Sequence, residues 1–176
     1  MSAYFLLYYG YMQTPIRKAG KYTNLELDPN LTEGKFDELR DKLVRLKKSH
    51  PSLALEVKRL GEMGDFSENA GYAMAKGKLR SVNQKILELE KYLNSAVIIK
   101  QSKNSLIVEL GCTVIVESGG KQKEYLILGS IETNPATGVI SHHSPLGQAL
   151  LGRRVGEVVK IKSTLGEVIY KIVKIA

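Results

Sequence analysis

A single cysteine, Cys112, stands in a chain of 176 residues. It excludes an internal disulfide and any zinc site built from several cysteines. Only three histidines are present, His50, His142 and His143, which argues against a dedicated metalloenzyme. Tryptophan is absent. No uninterrupted apolar run reaches the ~18–20 residues that a bilayer crossing demands, so no transmembrane helix is expected. The first twelve residues are apolar, yet they carry neither a basic leading segment nor a small-residue cleavage site. They read as a ragged N-terminus, with Met1 or Met12 as the start, and the expected location is the cytoplasm. What the chain has in excess is positive charge: 26 Lys and Arg against 18 Asp and Glu give +8. Such a balance suits a polyanionic partner, most simply nucleic acid or a machine bound to it.

Three textures follow one another. Residues 1–31 show no sustained period and hold Pro15, Gly20 and Pro29, which predicts an irregular lead-in. Residues 32–95 contain one proline, Pro51, and are rich in Lys, Glu, Leu and Ala. Residues 96–176 turn to β-branched alternation punctuated by Gly and Pro.

The middle region carries two stripes. Phe36, Leu39, Leu43, Leu46, Leu53, Val57 and Leu60 recur at steps of three and four, with His50 in the one polar slot. Tyr72, Ala75, Leu79, Val82, Ile86, Leu89 and Leu93 form the second stripe. Apolar stripes at this period on polar rods predict a coiled coil, and the short link at 61–69 makes the two helices antiparallel. Thr32 is placed to cap the first helix, and Pro51 is expected to bend it. Beyond residue 95 the pattern predicts strands at 112–117, 121–128, 139–141, 157–162 and 167–175, with a short helix at 145–152. Ser118-Gly119-Gly120 marks a hairpin turn. The whole is α+β: a helical hairpin followed by a small domain with a mostly antiparallel sheet.

The link between the helices holds the candidate chemistry. From Leu60 to Ala75 the only charged residues are Glu62, Asp65 and Glu68, whereas Lys58, Arg59, Lys76, Lys78 and Arg80 stand on either side. Asp65 and Glu68 lie three apart, so one turn of helix brings both carboxylates to one side. Two readings fit. Asp65-x-x-Glu68 is a capping box at a helix start. It is also a pair of hard oxygen donors for Mg²⁺, which needs six oxygens and so could only be completed by another molecule's site.

Gly64-Asp65-Phe66-Ser67-Glu68-Asn69-Ala70-x-Tyr72 resembles the tip signature of the Gre transcript cleavage factors, the GreA/GreB type of bacterial elongation factor. The run from Ile140 through Ser144-Pro145 to Gly152, followed by Val155-Gly156-Glu157-Val158-Val159, resembles their C-terminal signature. The resemblance implies a C-terminal domain similar to FK506-binding proteins that docks on RNA polymerase, with Ser144 and Pro145 at the contact. It implies that the coiled coil enters the polymerase's secondary channel. Asp65 and Glu68 would there assist the polymerase's own Mg²⁺ in cleaving backtracked RNA near its 3′ end, with Ser67 and Asn69 supporting the acids. The protein would have no cofactor of its own and would not be an enzyme. It would act as a monomer, with nucleic acid met only inside the transcription complex, and with no membrane partner. The basic residues Lys58, Arg59, Lys76, Lys78 and Arg80 would then meet RNA phosphates.

Several of these residues have plainer uses. Ser67 and Asn69 are ordinary helix-start residues, Tyr72 fits the seam, and Ser144-Pro145 suits a turn entering a helix. Adjacent side chains on a strand point to opposite faces, so His142 and His143 are not expected to share a metal. Gly71 and His143 depart from the family's pattern. A paralogous regulator that inhibits polymerase without promoting cleavage is the alternative function, and the acidic pair speaks against it. A peptidyl-prolyl isomerase would need an aromatic-lined pocket, yet residues 96–176 offer only Tyr125 and Tyr170. A plain coiled-coil adaptor would use the acids for capping alone.

Overall fold

Thr32 ends an extended segment and starts a helix: its hydroxyl accepts a hydrogen bond from the Lys35 amide at 3.2 Å. This side-chain cap satisfies one of the orphan donors of the first turn. The computed structural model describes residues 28–63, 70–100, 105–163 and 166–176. Helix α1 runs over Glu33–Glu62 and helix α2 over Ala70–Ser95. At 1.5 Å per residue the 30 residues of α1 span about 45 Å. The helix continues through Pro51 rather than ending there.

The two helices pack antiparallel. Phe36 and Leu39 near the start of α1 meet Leu89, Tyr92 and Leu93 near the end of α2. Every residue of the two stripes is buried or half-buried, while most of their helical neighbours are exposed. A two-helix rod can shield only its seam, which is why few of its side chains are fully covered. Lys47 and Glu90 bridge the helices at 2.6 Å on the exposed side of this seam.

The lead-in departs from expectation at its end. Residues 28–31 are built into the fold: strand β1 (Asn30–Leu31) pairs in parallel with strand β2 (Val97–Ile98), which follows α2 directly. Leu31 is fully buried against Leu39 and Tyr92. A two-residue strand carries no periodic signal, so the pattern of the sequence does not disclose it.

The second half is a five-stranded sheet in the order β5-β4-β3-β7-β6. Its strands are β3 (Thr113–Ser118), β4 (Lys121–Leu128), β5 (Val139–Ser141), β6 (Val158–Ser163) and β7 (Gly166–Ile175). All neighbours are antiparallel except β4 and β5. The β3–β4 turn is the Gly119-Gly120 pair, with φ of 58° and 75°. Both central residues of such a tight turn need positive φ, which glycine adopts without strain. Helix α3 (Pro145–Leu150) closes one end of the sheet. The core gathers Val108, Val114, Val116, Ile127, Ile140, Leu150, Val159 and Ile172. Cys112 is buried one residue ahead of β3.

Hairpin and sheet are tied at the base of the rod. Asp28 reaches the sheet half, where its carboxylate accepts from the Ser130 amide at 2.7 Å and the Ser130 hydroxyl at 3.1 Å. The other oxygen accepts from the Asn30 amide and side chain at 3.1 and 2.9 Å. Burial opposes the charge on Asp28, but the hydrogen bonds from Ser130 and Asn30 outweigh it and hold the carboxyl below its ordinary range. Glu132 answers from the other side, accepting from the amide and hydroxyl of Thr32. The Tyr92 hydroxyl donates to the Asp28 carbonyl at 2.8 Å. Burial, with the nearby charges of Asp28 and Glu132, pushes this phenol above its usual value.

Candidate functional site at the free end of the helical hairpin

Asp65, Phe66, Ser67, Glu68 and Asn69 lie outside the described residues, between Met63, which caps α1, and Ala70, which opens α2. The flanking basic residues are described, and they are not alike. On α1, Arg59 forms a fork with Glu56, Nε and Nη2 lying 3.1 and 2.9 Å from the two carboxylate oxygens. Each group favours the other's charge, so Glu56 titrates lower and Arg59 higher than usual. Lys58 faces Glu62 at 3.8 Å, one turn on. Both cations of α1 therefore have a carboxylate beside them, in exposed pairs that contribute little to stability.

On α2, Lys76, Lys78 and Arg80 make no ion pair among the described residues. From Ala70 to Leu87 the helix carries Lys76, Lys78, Arg80 and Lys85 and no acidic residue. Lys76 lies over the Tyr72 ring, its Nζ 5.5 Å from the centroid. Tyr72 is half-buried at its seam position. Lys76 and Arg80, four apart, share a face, whereas Lys78 sits roughly half a turn away. The five basic residues thus surround the rod rather than forming one patch, and among the described residues only Lys58 and Arg59 of the five have a carboxylate partner.

At the sheet end, Ser144 caps α3: its hydroxyl accepts from the Gly147 amide at 3.0 Å and donates to the Ser141 carbonyl at 2.6 Å. Pro145 follows at the first helical position and is exposed. The Ser144 hydroxyl is thereby committed within the fold, and Pro145 carries the accessible surface of the pair. His142 and His143 correct an expectation: they lie in the turn between β5 and α3, not on a strand, and their rings stack 3.9 Å apart. Opposite projection holds only where the backbone is extended.

Comparison with known proteins supplies the lineage. Residues 30–98 match the family model described as "Transcription elongation factor, N-terminal". Residues 103–176 match "Transcription elongation factor, GreA/GreB, C-term". The chain belongs to the GreA/GreB family. It is 39% identical over 136 residues to transcription elongation factor GreA of Acholeplasma laidlawii, covering 76% of this chain and 86% of that one. It is 39% identical over 149 residues to GreA of Clostridioides difficile, covering 82% and 94%. Among solved structures it is similar to GreA factor homolog 1 of Thermus thermophilus at 27% identity, covering 85% and 99%, with a TM-score of 0.40. In this GreA/GreB family member no described helix is long and apolar enough to cross a membrane.

The knot at the hairpin base leaves no periodic signal in the sequence. Asp28, Tyr92, Ser130 and Glu132 are brought together from positions up to 104 residues apart, with no motif linking them. The one local sign is Asp28-Pro29-Asn30, a turn-forming triplet whose aspartate accepts from the amide two residues on.

Proposed function

We propose that this GreA/GreB family protein binds RNA polymerase, passes its helical hairpin into the secondary channel and stimulates the polymerase's own cleavage of backtracked RNA. The observation that carries the reading is the Asp65/Glu68 pair in the seven-residue link between α1 and α2, flanked on the α2 side by Lys76, Lys78 and Arg80, which pair with no described carboxylate. Two carboxylates are the donors that Mg²⁺ prefers, and two are too few to hold it alone. The donor set therefore fits an ion shared with the polymerase, held on this side by Asp65 and Glu68. The ion, when bound, supplies an activated water and neutralises charge on the scissile phosphate. Ser67 and Asn69 support the two acids. The rod's length of about 45 Å gives the reach to carry them away from the sheet domain. That domain docks at the channel rim, with Pro145 presented by the Ser144 cap. The protein works as a cytoplasmic monomer with no cofactor of its own and is no nuclease by itself.

The test is RNA release from a stalled, backtracked polymerase with and without the protein. Faster cleavage is expected; slower elongation with no cleavage would replace the proposal by the inhibitory reading.

The basic residues give a second expectation. Lys76→Gln with Lys78→Gln removes two cations of α2 that pair with no described carboxylate, so cleavage on deeply backtracked complexes should fall severalfold and its salt dependence should flatten. Complexes backtracked by a nucleotide or two should change little. Lys58→Gln, whose cation already has Glu62 beside it, should matter less. Parallel salt curves for wild type and double variant would reduce these lysines to solvated surface.

A further inference from the structure

Asp28, His142 and His143 each offer a ligand atom, and these atoms all lie within 4.8 Å of one another. We propose that they form a Zn²⁺ site that staples the hairpin's lead segment to the sheet domain. The donor set is one carboxylate oxygen and two imidazole nitrogens, which suits zinc and not magnesium. Two ligands about 2.0–2.1 Å from a tetrahedral ion stand roughly 3.3–3.5 Å apart. The Asp28 Oδ2 to His142 Nδ1 separation is 3.4 Å, so one edge of the tetrahedron is already in place.

The surroundings are those of a prepared carboxylate ligand. Asp28 is buried, ionised and oriented by Asn30 and Ser130. The Asn30 bonds on Oδ1 fix the direction of the carboxylate, and at Oδ2 the Ser130 hydroxyl, 3.0 Å from the Ser141 hydroxyl, would turn to that partner and leave a lone pair for the ion. His142 is mostly covered, its Nδ1 lying also 3.3 Å from the Leu128 carbonyl. On binding, the ion takes the place of hydrogen at Nδ1, and the neutral ring carries its proton on Nε2. His143 is exposed, and its side chain makes no hydrogen bond with any described residue. It is free to swing the remaining distance and close the site, leaving a fourth position to water. The ligands come from the start of the hairpin segment and from the β5–α3 turn, so the ion would resist any separation of the two halves.

The experiment titrates Zn²⁺ into the full chain by calorimetry, with Co²⁺ absorption reporting coordination geometry. One ion per chain, a tetrahedral Co²⁺ spectrum and a higher Tm with Zn²⁺ are expected. His143→Ala should weaken binding about tenfold or more and abolish the Tm shift. Because that side chain is exposed, the variant should keep the metal-free Tm of the wild type. His50→Ala, on the far rod, should bind as the wild type does. Absence of Zn²⁺ uptake by the wild type, or unchanged affinity in His143→Ala, would overturn the site.

Discussion

Asp65→Asn is expected to reduce stimulated RNA cleavage by at least on the order of 100-fold while polymerase binding persists. Glu68→Gln should behave alike. Each substitution removes the charge that Mg²⁺ selects and keeps the size of the side chain. The first discriminates well, because Asn caps a helix about as effectively as Asp, so a pure capping role predicts a folded and fully active variant. Binding should be nearly unchanged if the sheet domain supplies most of the docking surface. Competition between wild type and Asp65→Asn for the polymerase, measured beside cleavage, separates the two effects. Full cleavage by Asp65→Asn would end the metal reading and leave the capping box.

Asp28→Ala should destabilise the protein by about 2–4 kcal/mol, followed by helical circular dichroism in urea. The carboxylate collects four hydrogen bonds, two from Asn30 and two from Ser130. Its removal leaves the amides of Asn30 and Ser130 without their acceptor at a part-buried joint, and a donor left without a partner loses more than the bond itself contributed. Gly129→Ala attacks the same joint by a different route. A Cβ at Gly129 would collide with the Asn30 carbonyl oxygen, a backbone atom that cannot swing aside. Overpacking of this kind costs about 1–3 kcal/mol. Both variants should leave the β3–β4–β7 core intact, because Val114, Val116, Ile127 and Ile172 make no use of residues 28–31. A urea midpoint unchanged in both would mean that the joint contributes nothing to the fold.

The parts of this fold that repeat were legible in the residues. Fourteen apolar positions at steps of three and four are each buried or half-buried, and strands β3 to β7 fall within a residue of the alternating runs that announce them. Period reports a face, and a face reports burial. What period cannot report is a meeting between distant single residues. Leu31, Asp28 and Glu132 belong to short or irregular segments, and only the closed fold brings them together. His142 and His143 failed for a related reason: the strand ends at Ser141, one residue before the pair, and the turn reverses the inference about their directions. For the candidate site the sequence offered composition, an acidic pair ringed by cations. The structure added that Lys58 and Arg59 have carboxylates beside them, whereas Lys76, Lys78 and Arg80 pair with no described carboxylate.

The joint at the hairpin base also sets an order of assembly. Contacts along the α1–α2 seam can form as soon as residue 95 has been made, since the helices need only each other and a seven-residue link. The bonds from Ser130 to Asp28 and from Thr32 to Glu132 close loops of 102 and 100 residues. Closing so long a loop carries an entropic cost that no early contact offsets. The rod is therefore complete before the clasp, and the clasp waits for the sheet. On this order Asp28 is expected to stay hydrated until the sheet has formed. Interactions absent from the transition state govern unfolding rather than folding, so weakening Glu132 should quicken the opening of the native protein and leave its rate of formation nearly untouched.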